Sequence, residues 1–495
     1  MSATESATAT RLLDNYVGGR WTPSSSSEAL DVTNPATGEV LARVPLSSAG
    51  DLDAAVKAAR EALPKWRAVS TIARARKLFE LRERLVARQE ELARSVTIEM
   101  GKTLVDGRAE VARMIEMVEA ACAIPTTMQG RILEDVSRNI DAETIRQPVG
   151  VCAAIVPFNF PAMVPFWFLP FAIGCGNTFV LKPSEQVPLT QQIAFQELDA
   201  LGLPPGVVNL VNGGREVVEG ILEHPGIDAV SFVGSAPVAR IVYERCGATG
   251  KRVQALGGAK NHMVVMPDAV VDETVKGIIG SGFGAAGQRC MAGSVVVTVG
   301  DAYDRVVPPL VEATKALQVG DGLEASNDVG PVISEAARER ITGWIDRSDK
   351  VLVDGREGVP SNGCYVGPTI VEVDPDDEIV GVEVFGPLLS VVRVDSLDDA
   401  IEVVNRSEFG NGTSIFTESG AAVRKYKHDV EAGMVGVNIG VAAPVAFFPF
   451  SGWKASFLGD LHAHGTDAVD FFTRKKTITS RYFSETESGR YFVES

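Results

Sequence analysis

Apolar and polar positions follow two different periods along the chain, and each change of period marks a predicted element. Residues 15–48 form short extended pieces separated by turn signals such as Gly18-Gly19 and Asn34-Pro35, so a hairpin region is expected there. Helical spacing with few breakers follows in residues 51–66, 70–100 and 103–122. The turn-rich residues 125–147 are expected to form an exposed hairpin.

Residues 149–258 alternate between strand-like and helix-like patterns. The predicted strands are residues 149–156, 178–181, 207–211, 229–233 and 252–256. The helices predicted between them are residues 161–173, 189–200, 215–223 and 237–245. This order implies a mainly parallel sheet covered by helices, which binds ligands at the carboxyl ends of its strands. Neither the G-x-G-x-x-G fingerprint nor a P-loop follows any of these strands, so a nucleotide site must be built differently.

A second α/β lobe is predicted from residue 261 to about residue 465. It opens with the apolar strand 262–266 and a helix that leads to Cys290, and strand-like runs recur at residues 294–299, 369–373 and 388–394. The tail, residues 471–483, alternates polar and apolar positions in FFTRKKTITSRYF. This pattern predicts an exposed strand, and its partner is expected in another subunit.

Charge and composition exclude several classes of partner. The 495 residues carry a net charge of −17, which opposes the phosphates of a nucleic acid and an anionic membrane surface. Residues 147–181 lack any charge, but Pro157, Pro161, Pro165 and Pro170 interrupt them, so they are interpreted as buried core and not as a membrane span. An anionic substrate would have to be captured by arginines placed next to it.

The six cysteines are scattered, without C-x-x-C pairs. Neither a disulfide framework nor a metal site is expected, and a reducing cytoplasm fits best. The first 13 residues lack an apolar core, so no secretory signal is expected there.

The segment GFGAAGQRCMA, residues 282–292, is the strongest candidate for chemistry. Its small residues leave space around Cys290, and Arg289 stands directly before it, which predicts a reachable and activated thiol. A thiolate is an effective nucleophile, and even a free thiol is partly ionised near neutrality. The alternative from the residues alone is a buried core cysteine.

Six motifs in one order resemble the aldehyde dehydrogenase superfamily over nearly the whole chain. They are IVPFNFP (155–161), LKPSE (181–185), SFVGS (231–235), LGG (256–258), GQRC (287–290) and EVFGP (383–387). Within that superfamily, QALGGAKNH (254–262) and FPFSGWKASFLGDLHAHG (448–465) resemble the methylmalonate-semialdehyde dehydrogenases, the CoA-acylating branch.

The resemblance implies an α/β, aldehyde-dehydrogenase-like fold with three parts. A Rossmann-type parallel-sheet domain that binds NAD is expected from residues 1–129 and 150–258. A second α/β domain, the catalytic one, is expected from residues 259–465, and a β oligomerisation arm from residues 130–149 and 466–495. The arm implies a homo-oligomer, a dimer or a tetramer.

The resemblance also assigns roles to individual residues. Cys290 is the nucleophile, and Asn159 with the Cys290 N–H stabilises the oxyanion; an isolated Asn-x-Pro could equally be a turn. A carboxylate at Glu185 suits the free 2′-hydroxyl of NAD. The expected NAD-binding residues are Ile155, Pro157, Phe158, Lys182, Ser184, Glu185, Gly234, Ser235, Glu383 and Phe385. Solvated loops, a plain helix cap and a strand end are the alternatives for these positions.

The informative departure from the family pattern is Ala255. Hydrolytic members carry a glutamate there as the general base that activates water, which has a pKa of about 15.7. A thiol, with a pKa of about 8.5, supplies some thiolate unaided. The missing carboxylate therefore favours thiolysis by coenzyme A as co-substrate, unless another base such as Glu383 substitutes.

Arg113 and Arg289 are the candidates for binding a substrate carboxylate with paired hydrogen bonds. Helical periodicity alone places Arg113 on a solvated face, whereas the resemblance places it on the substrate tunnel with Ala109, Met117 and Ala120. The three histidines His262, His462 and His464 are expected to be structural.

The function implied is NAD-dependent, CoA-acylating oxidation of methylmalonate semialdehyde and malonate semialdehyde. The products would be propionyl-CoA and acetyl-CoA, formed with loss of CO₂ during valine or inositol breakdown. A hydrolytic semialdehyde dehydrogenase, for example of succinate semialdehyde, is the first alternative. A non-catalytic binding protein on the same scaffold is the second.

Overall fold

A computed structural model describes residues 10–483 of the chain. Residues 1–9 lie outside the described residues, and they make up most of the segment in which no secretory signal is expected. Residues 484–495, at the end of the expected arm, also lie outside the described residues. The strands are β1 (Asn15–Val17), β2 (Arg20–Thr22), β3 (Ala29–Thr33), β4 (Val40–Pro45), β5 (Arg131–Ser137), β6 (Ile140–Pro148), β7 (Val151–Ile155), β8 (Thr178–Lys182), β9 (Val208–Leu210), β10 (Ala229–Val233), β11 (Arg252–Leu256), β12 (Asn261–Val265), β13 (Gly293–Val299), β14 (Val351–Val353), β15 (Thr369–Glu372), β16 (Leu388–Val394), β17 (Phe409–Gly410), β18 (Gly412–Phe416), β19 (Met434–Val437), β20 (Trp453–Lys454), β21 (Phe457–Leu458) and β22 (Thr473–Arg481). The helices are α1 (Ala49–Ala68), α2 (Thr71–Ala87), α3 (Gln89–Met100), α4 (Leu104–Cys122), α5 (Ile124–Thr127), α6 (Met163–Phe166), α7 (Leu169–Gly174), α8 (Leu189–Asp199), α9 (Arg215–Glu223), α10 (Ala236–Ala248), α11 (Val271–Phe283), α12 (Ala302–Lys315), α13 (Glu335–Asp346), α14 (Glu378–Gly381), α15 (Leu397–Arg406), α16 (Gly420–Asp429) and α17 (Gly465–Phe471).

The first large sheet has eight strands in the order β2-β1-β9-β8-β7-β10-β11-β21. The strands β7 to β11 are mutually parallel, as predicted. Alternate residues of β7 and β8 enter two different apolar clusters, one formed with α1, α9 and α10 and the other with α2 to α4, α7 and α8. Strands β7, β8 and β9 are added in one direction across the sheet. After β9 the chain crosses back to the other side of β7, where it forms β10 and then β11. The direction in which strands are added therefore reverses between β7 and β10. Their carboxyl ends are therefore the expected ligand edge.

The second large sheet has seven strands in the order β14-β15-β16-β13-β12-β18-β19. Helices α11, α12 and α13 pack on one face, and α15 and α16 on the other. The four predicted strands of this lobe are confirmed as β12, β13, β15 and β16. Strands β14, β18 and β19 were not predicted, and together with the helices they complete an α/β layer arrangement.

Two predicted helices are each divided in the structure. The stretch 70–100 forms α2 and α3, which are separated at Arg88, where φ is −109° and ψ is 15°. The stretch 161–173 forms α6 and α7, because Pro165 and Pro170 lack the N–H that a continuous helix requires. Residues 147–181 are buried core, as interpreted, and no helix within residues 10–483 is long and apolar enough to cross a membrane.

The tail strand corrects one prediction. β22 pairs antiparallel with β6 of the same chain along its whole length, from Thr473 opposite Pro148 to Arg481 opposite Ile140. β5 lies on the other side of β6, so the order of this small sheet is β22-β6-β5. The tail strand thus has a partner in its own chain, the predicted hairpin, because the chain end folds back onto β6 after α17.

Candidate active site

A strained turn delivers Cys290 from α11. After α11 the chain makes a 3₁₀ turn, Gly284–Gly287, in which Ala285 and Ala286 both have a φ of 51°. Left-handed backbone is uncommon for residues with a Cβ and persists where surrounding contacts enforce it. One such contact is the carboxylate of Asp106 in α4, which accepts from the Ala285 N–H at 3.0 Å. The turn is therefore attached to the first turn of α4.

Two asparagines hold the backbone of Cys290 itself. The Cys290 carbonyl accepts from the side-chain amides of Asn261 and Asn411, each at 2.8 Å. Asn261 begins β12 and Asn411 lies between β17 and β18, so two neighbouring strands of the second sheet fix the nucleophile. Sequence reasoning missed both residues, because their contacts are distant along the chain.

The Cys290 thiol is reachable, but it is not activated in the protein alone. It is partly exposed, whereas four of the other five cysteines are buried. The pKa of Cys290 is raised to about 12, mainly by burial and also by the charge of Glu383, while the Cys290 N–H and Arg289 act to lower it. Arg289 thus favours the thiolate, as predicted, but its effect is smaller than the rise due to burial.

Cys290 opens into a cavity of about 200 Å³ that Arg289 and Arg113 also line. Ala109 and Met117 line it as well, so the second face of α4 does lie on this cavity as expected; Ala120, although buried, is not one of the lining residues. The interpretation of Arg113 as part of a plain solvated face is therefore wrong.

Both arginines are oriented by contacts with the protein, and both still have N–H groups that can donate to a ligand. Arg113 pairs with Glu116 at 2.7 Å through Nη1. Arg289 donates through Nη2 to the Gly280 and Ser281 carbonyls at the end of α11, and its Nε has no partner within residues 10–483. Both guanidinium groups line the cavity, and a guanidinium with N–H groups to spare can donate to a carboxylate.

Asn159 lies against the nucleophile segment. Its side-chain amide donates to the Gln288 carbonyl at 3.1 Å, two residues before Cys290. The amide carries two N–H groups, so the second is available for another acceptor. The main-chain carbonyl of Asn159 accepts from the Lys102 ammonium group at 2.8 Å. Asn159 is thus buried and fixed against the segment that carries Cys290, although it does not line the cavity.

An aromatic wall closes the cavity on another side. Trp167, Phe450 and His464 line it together, with ring centroids 4.6 to 5.7 Å apart. Trp167 Nε1 and His464 Nε2 have no hydrogen-bond partner in the described chain. The expectation that His464 lies outside the site is wrong, since the turn before α17 carries it into the cavity wall.

Burial lowers the pKa of His464 to about 3, which keeps the ring neutral. His262 is likewise buried, in β12, and its pKa is also lowered to about 3. His462 packs on Phe457 and contacts Asp467. Neither His262 nor His462 lines the cavity.

The expected nucleotide-binding residues lie at the carboxyl ends of three parallel strands. Ile155 ends β7 and is followed by Pro157 and Phe158. Lys182 ends β8, and its ammonium group binds the Glu185 carboxylate at 2.7 Å. Ser184 lies between these two and accepts from the N–H of Gln186. None of these six residues lines the cavity of Cys290.

The third strand, β10, leads through Gly234 and Ser235 into α10. A Cβ at Gly234 would lie 2.5 Å from the ring of Phe232, so only glycine fits there. The Ser235 side chain makes no capping hydrogen bond, which leaves the first amides of α10 for another acceptor. A helix start of this kind can receive a phosphate group.

Glu383 and Phe385 reach the same edge from the second sheet. The Glu383 carboxylate accepts from the Ala259 N–H at 2.9 Å, and burial raises its pKa to about 7 while Lys260 opposes that rise. Phe385 has a φ of 56°, and its ring meets that of Phe158 edge-to-face at 5.9 Å. The two aromatic residues thus join the carboxyl end of β7 to the amino end of β16.

Comparison with known proteins identifies the family. The profile of the aldehyde dehydrogenase family matches residues 21–478. The chain belongs to the aldehyde dehydrogenase family. It is 53% identical over 482 residues to malonate-semialdehyde dehydrogenase 3 of Geobacillus kaustophilus, covering 96% of this chain and 100% of that protein. It is 49% identical to malonate-semialdehyde dehydrogenase of Halalkalibacterium halodurans, covering 95% and 98%.

Solved structures agree with the family. A protein of Sinorhizobium meliloti assigned as a methylmalonate-semialdehyde dehydrogenase, crystallised with NAD, superposes with a TM-score of 0.95 at 42% identity, covering 97% of this chain and 100% of that one. The methylmalonate-semialdehyde dehydrogenase of Oceanimonas doudoroffii gives 0.94 at 43%, covering 96% and 99%. The predicted aldehyde dehydrogenase fold is confirmed.

Ala255, where hydrolytic family members are expected to carry a glutamate, is fully buried in β11. It lies opposite Phe232 of β10 and Leu458 of β21. Its methyl group packs in the cluster that includes Val230, Phe232 and Ala239. This position therefore offers no acid or base to the site.

Proposed function

We propose that the protein is an NAD-dependent, CoA-acylating dehydrogenase of malonate semialdehyde and methylmalonate semialdehyde. The observation that carries the proposal is that Cys290, Arg289 and Arg113 line the same cavity. It combines a nucleophile for the aldehyde with two guanidinium groups for the carboxylate of the same small molecule. The names of the relatives described above support this substrate class.

NAD fits the edge described above. The amides at the start of α10 suit a pyrophosphate, and the close approach at Gly234 admits no side chain. Glu185, held by Lys182, suits the ribose hydroxyls, and Glu383 and Phe385 are positioned for the nicotinamide half. NAD, when bound, supplies the hydride acceptor. The NAD complex of the Sinorhizobium meliloti neighbour supports this assignment.

The first half-reaction is carried by Cys290 and Asn159. The deprotonated sulfur forms a bond to the aldehyde carbon, and the carbonyl π pair moves to oxygen, which accepts from the Asn159 amide and the Cys290 N–H. Arg113 and Arg289 hold the carboxylate so that the aldehyde lies against the sulfur. When the oxygen pair re-forms the carbonyl, the carbon-bound hydrogen leaves as hydride and a Cys290 thioester remains.

The second half-reaction releases the acyl group to coenzyme A. As the family resemblance implies, the carbon–carbon bond to the carboxylate breaks first; CO₂ leaves, and its electron pair is taken up as a thioester enolate that solvent protonates. The CoA thiolate then bonds to the thioester carbon and the Cys290 sulfur leaves as thiolate. The products are acetyl-CoA or propionyl-CoA, and the atoms and charges balance.

The choice of coenzyme A over water is supported by Ala255. A buried methyl group in β11 cannot deprotonate water, and a general base contributes about 10²- to 10⁴-fold to such a step. A hydrolytic semialdehyde dehydrogenase is the second candidate, favoured by one observation. Glu383 is buried close enough to influence the pKa of Cys290, and its own pKa is about 7, which suits a general base.

The proposal is tested by following NADH formation from malonate semialdehyde with and without coenzyme A. We expect a single burst without coenzyme A, and steady turnover to acetyl-CoA with it, identified by mass spectrometry. Steady turnover to a free acid without coenzyme A would establish the hydrolytic candidate instead. In that case Glu383→Gln should abolish the acid, and its persistence would exclude Glu383 as the base.

The remaining parts of the proposal concern the whole chain. We assign NAD binding to residues 1–129 and 150–258, catalysis to residues 259–465, and assembly to residues 130–149 and 466–495. The assembly is a homo-oligomer in the cytoplasm. Six free cysteines and no disulfide within the described chain are compatible with a reducing compartment.

A further inference from the structure

A fully buried ion pair lies beside the cavity and is not explained by the roles assigned so far. Lys102, in the turn between α3 and α4, places its ammonium group 2.7 Å from the Glu110 carboxylate, and both side chains are 0% exposed. Desolvating two charges costs several kcal/mol per ion, so such a pair is weak evidence for stability. The role of the pair is therefore inferred from the other groups that the two side chains contact.

Within residues 10–483, the other hydrogen bonds and the ring contact of these two side chains are made with the segment that carries Asn159. Lys102 donates to the Asn159 carbonyl at 2.8 Å and lies 4.0 Å from the centre of the Phe160 ring. Glu110 accepts from the N–H groups of Ala162 and Met163 at 2.7 and 3.1 Å. The pair thus fixes the residue that donates to the oxyanion and the four that follow it, on one side of the nucleophile.

We propose that Lys102 and Glu110 are positioning residues that hold Asn159 at the place of the developing oxyanion. The inference rests on the proposed role of Asn159. Within the described part of the chain, the Asn159 side chain makes one hydrogen bond, to the Gln288 carbonyl at 3.1 Å, and the Asn159 main chain is oriented through Lys102. Without the pair, the Asn159 carbonyl loses its donor and the N–H groups of Ala162 and Met163 lose a charged acceptor, so the amide moves relative to Cys290.

A double-mutant cycle tests this, because residues that act through one another have non-additive effects. The variants are Asn159→Ala, the pair variant Lys102→Met with Glu110→Gln, and all three changes together. The pair variant removes both charges at similar volume, so no lone buried charge remains. Single-turnover NADH formation measures the chemical step, and its deuterium isotope effect with labelled aldehyde shows whether that step limits the rate.

We expect Asn159→Ala to slow the chemical step by about 10²- to 10³-fold. The pair variant should slow it by about 10- to 10²-fold, the cost of a misplaced group, without changing the KM for NAD. The triple variant should match Asn159→Ala within about threefold. If the pair variant reacts like the unmodified protein, or if the two losses multiply in the triple variant, the inference is wrong.

Glu99→Gln is the matched control. Glu99 is also a buried carboxylate that accepts from two backbone N–H groups, those of Leu189 and Thr190, but it does not line the cavity. It should leave the chemical step unchanged; an equal loss would mean that any buried carboxylate produces the effect and would overturn the inference. If the pair variant does not fold, Lys102→Gln with Glu110→Gln, which also removes both charges, enters the same cycle with the same criteria. An unaffected Asn159→Ala variant would instead contradict the proposed function.

Discussion

Arg113 and Arg289 approach the cavity of Cys290 from different parts of the chain, one on α4 and one in the segment after α11. Each is oriented by acceptors of the protein and retains donors for a ligand. Specificity for an acidic aldehyde requires that the two arginines bind the substrate carboxylate and do not assist the reaction at the aldehyde group.

Replacing either arginine should lower the activity towards acidic aldehydes and leave the activity towards neutral aldehydes almost unchanged. We expect Arg113→Met to lower kcat/KM for malonate semialdehyde by about 10²-fold, because a charge-assisted hydrogen-bonded contact is lost. The value for propanal should change little. Arg289→Met should cause at least the same loss, since it also frees the carbonyls of Gly280 and Ser281. Arg108→Met on the same helix, whose partner is the exposed Glu90, is the control. Equal losses for both aldehydes would contradict carboxylate binding.

The reactivity of Cys290 should depend on the charge of Glu383. That charge is one cause of the raised pKa of the thiol, so Glu383→Gln should lower the pKa and increase the thiolate fraction at a given pH. Glu383 itself has a pKa of about 7. The gain should therefore be small below that pH, where the carboxyl is protonated, and should grow above it.

Alkylation of the Cys290 peptide by iodoacetamide, followed by mass spectrometry between about pH 6 and 9, measures this effect. Cys364 is the internal control, because its pKa is set by burial, Glu335 and Arg338 and not by Glu383. A rate at Cys290 that is the same in both proteins across this range would mean that Glu383 does not influence the thiol.

At the scale of single residues, the sequence predicts groups whose chemistry is carried by their own motif. Cys290 and Arg289 could be predicted because the residues around them are small and adjacent. Asn261, Asn411 and Trp167 could not, because each reaches the site by folding from a separate element. The pKa of Cys290 was mispredicted for the same reason, since burial arises from the whole site.

At the scale of elements, the strands of the first sheet could be predicted closely because they are continuous apolar runs buried on both faces. Errors occur where two signals compete. Residues 161–173 have helical composition, yet Pro165 and Pro170 divide the helix. The tail strand could be predicted from its alternation, but a single strand pattern does not specify its partner, and β6 lies near enough in the same chain to pair with it.

At the scale of the whole molecule, the carboxyl end of β7 in the first sheet meets the amino end of β16 in the second sheet, through Phe158 and Phe385. The nucleotide edge and the nucleophile therefore belong to different lobes and depend on how these lobes pack. The small sheet of β22, β6 and β5 stands apart from this junction. Its outer strand β5 is exposed at every residue, and Ile132 and Leu133 are 71% and 63% exposed.

Exposed apolar side chains on an edge strand favour contact with another copy of the chain. We therefore expect Ile132→Glu with Leu133→Glu to lower the mass in solution, measured by light scattering, because charges cannot be buried in an apolar interface without cost. Cooperative thermal unfolding should persist, since neither side chain supports the core of its own chain. Ile72→Glu on α2, where the side chain is 59% exposed, is the control and should leave the mass unchanged. If the double variant keeps the mass of the unmodified protein, β5 does not lie in the interface, and the assignment of residues 130–149 to assembly is wrong.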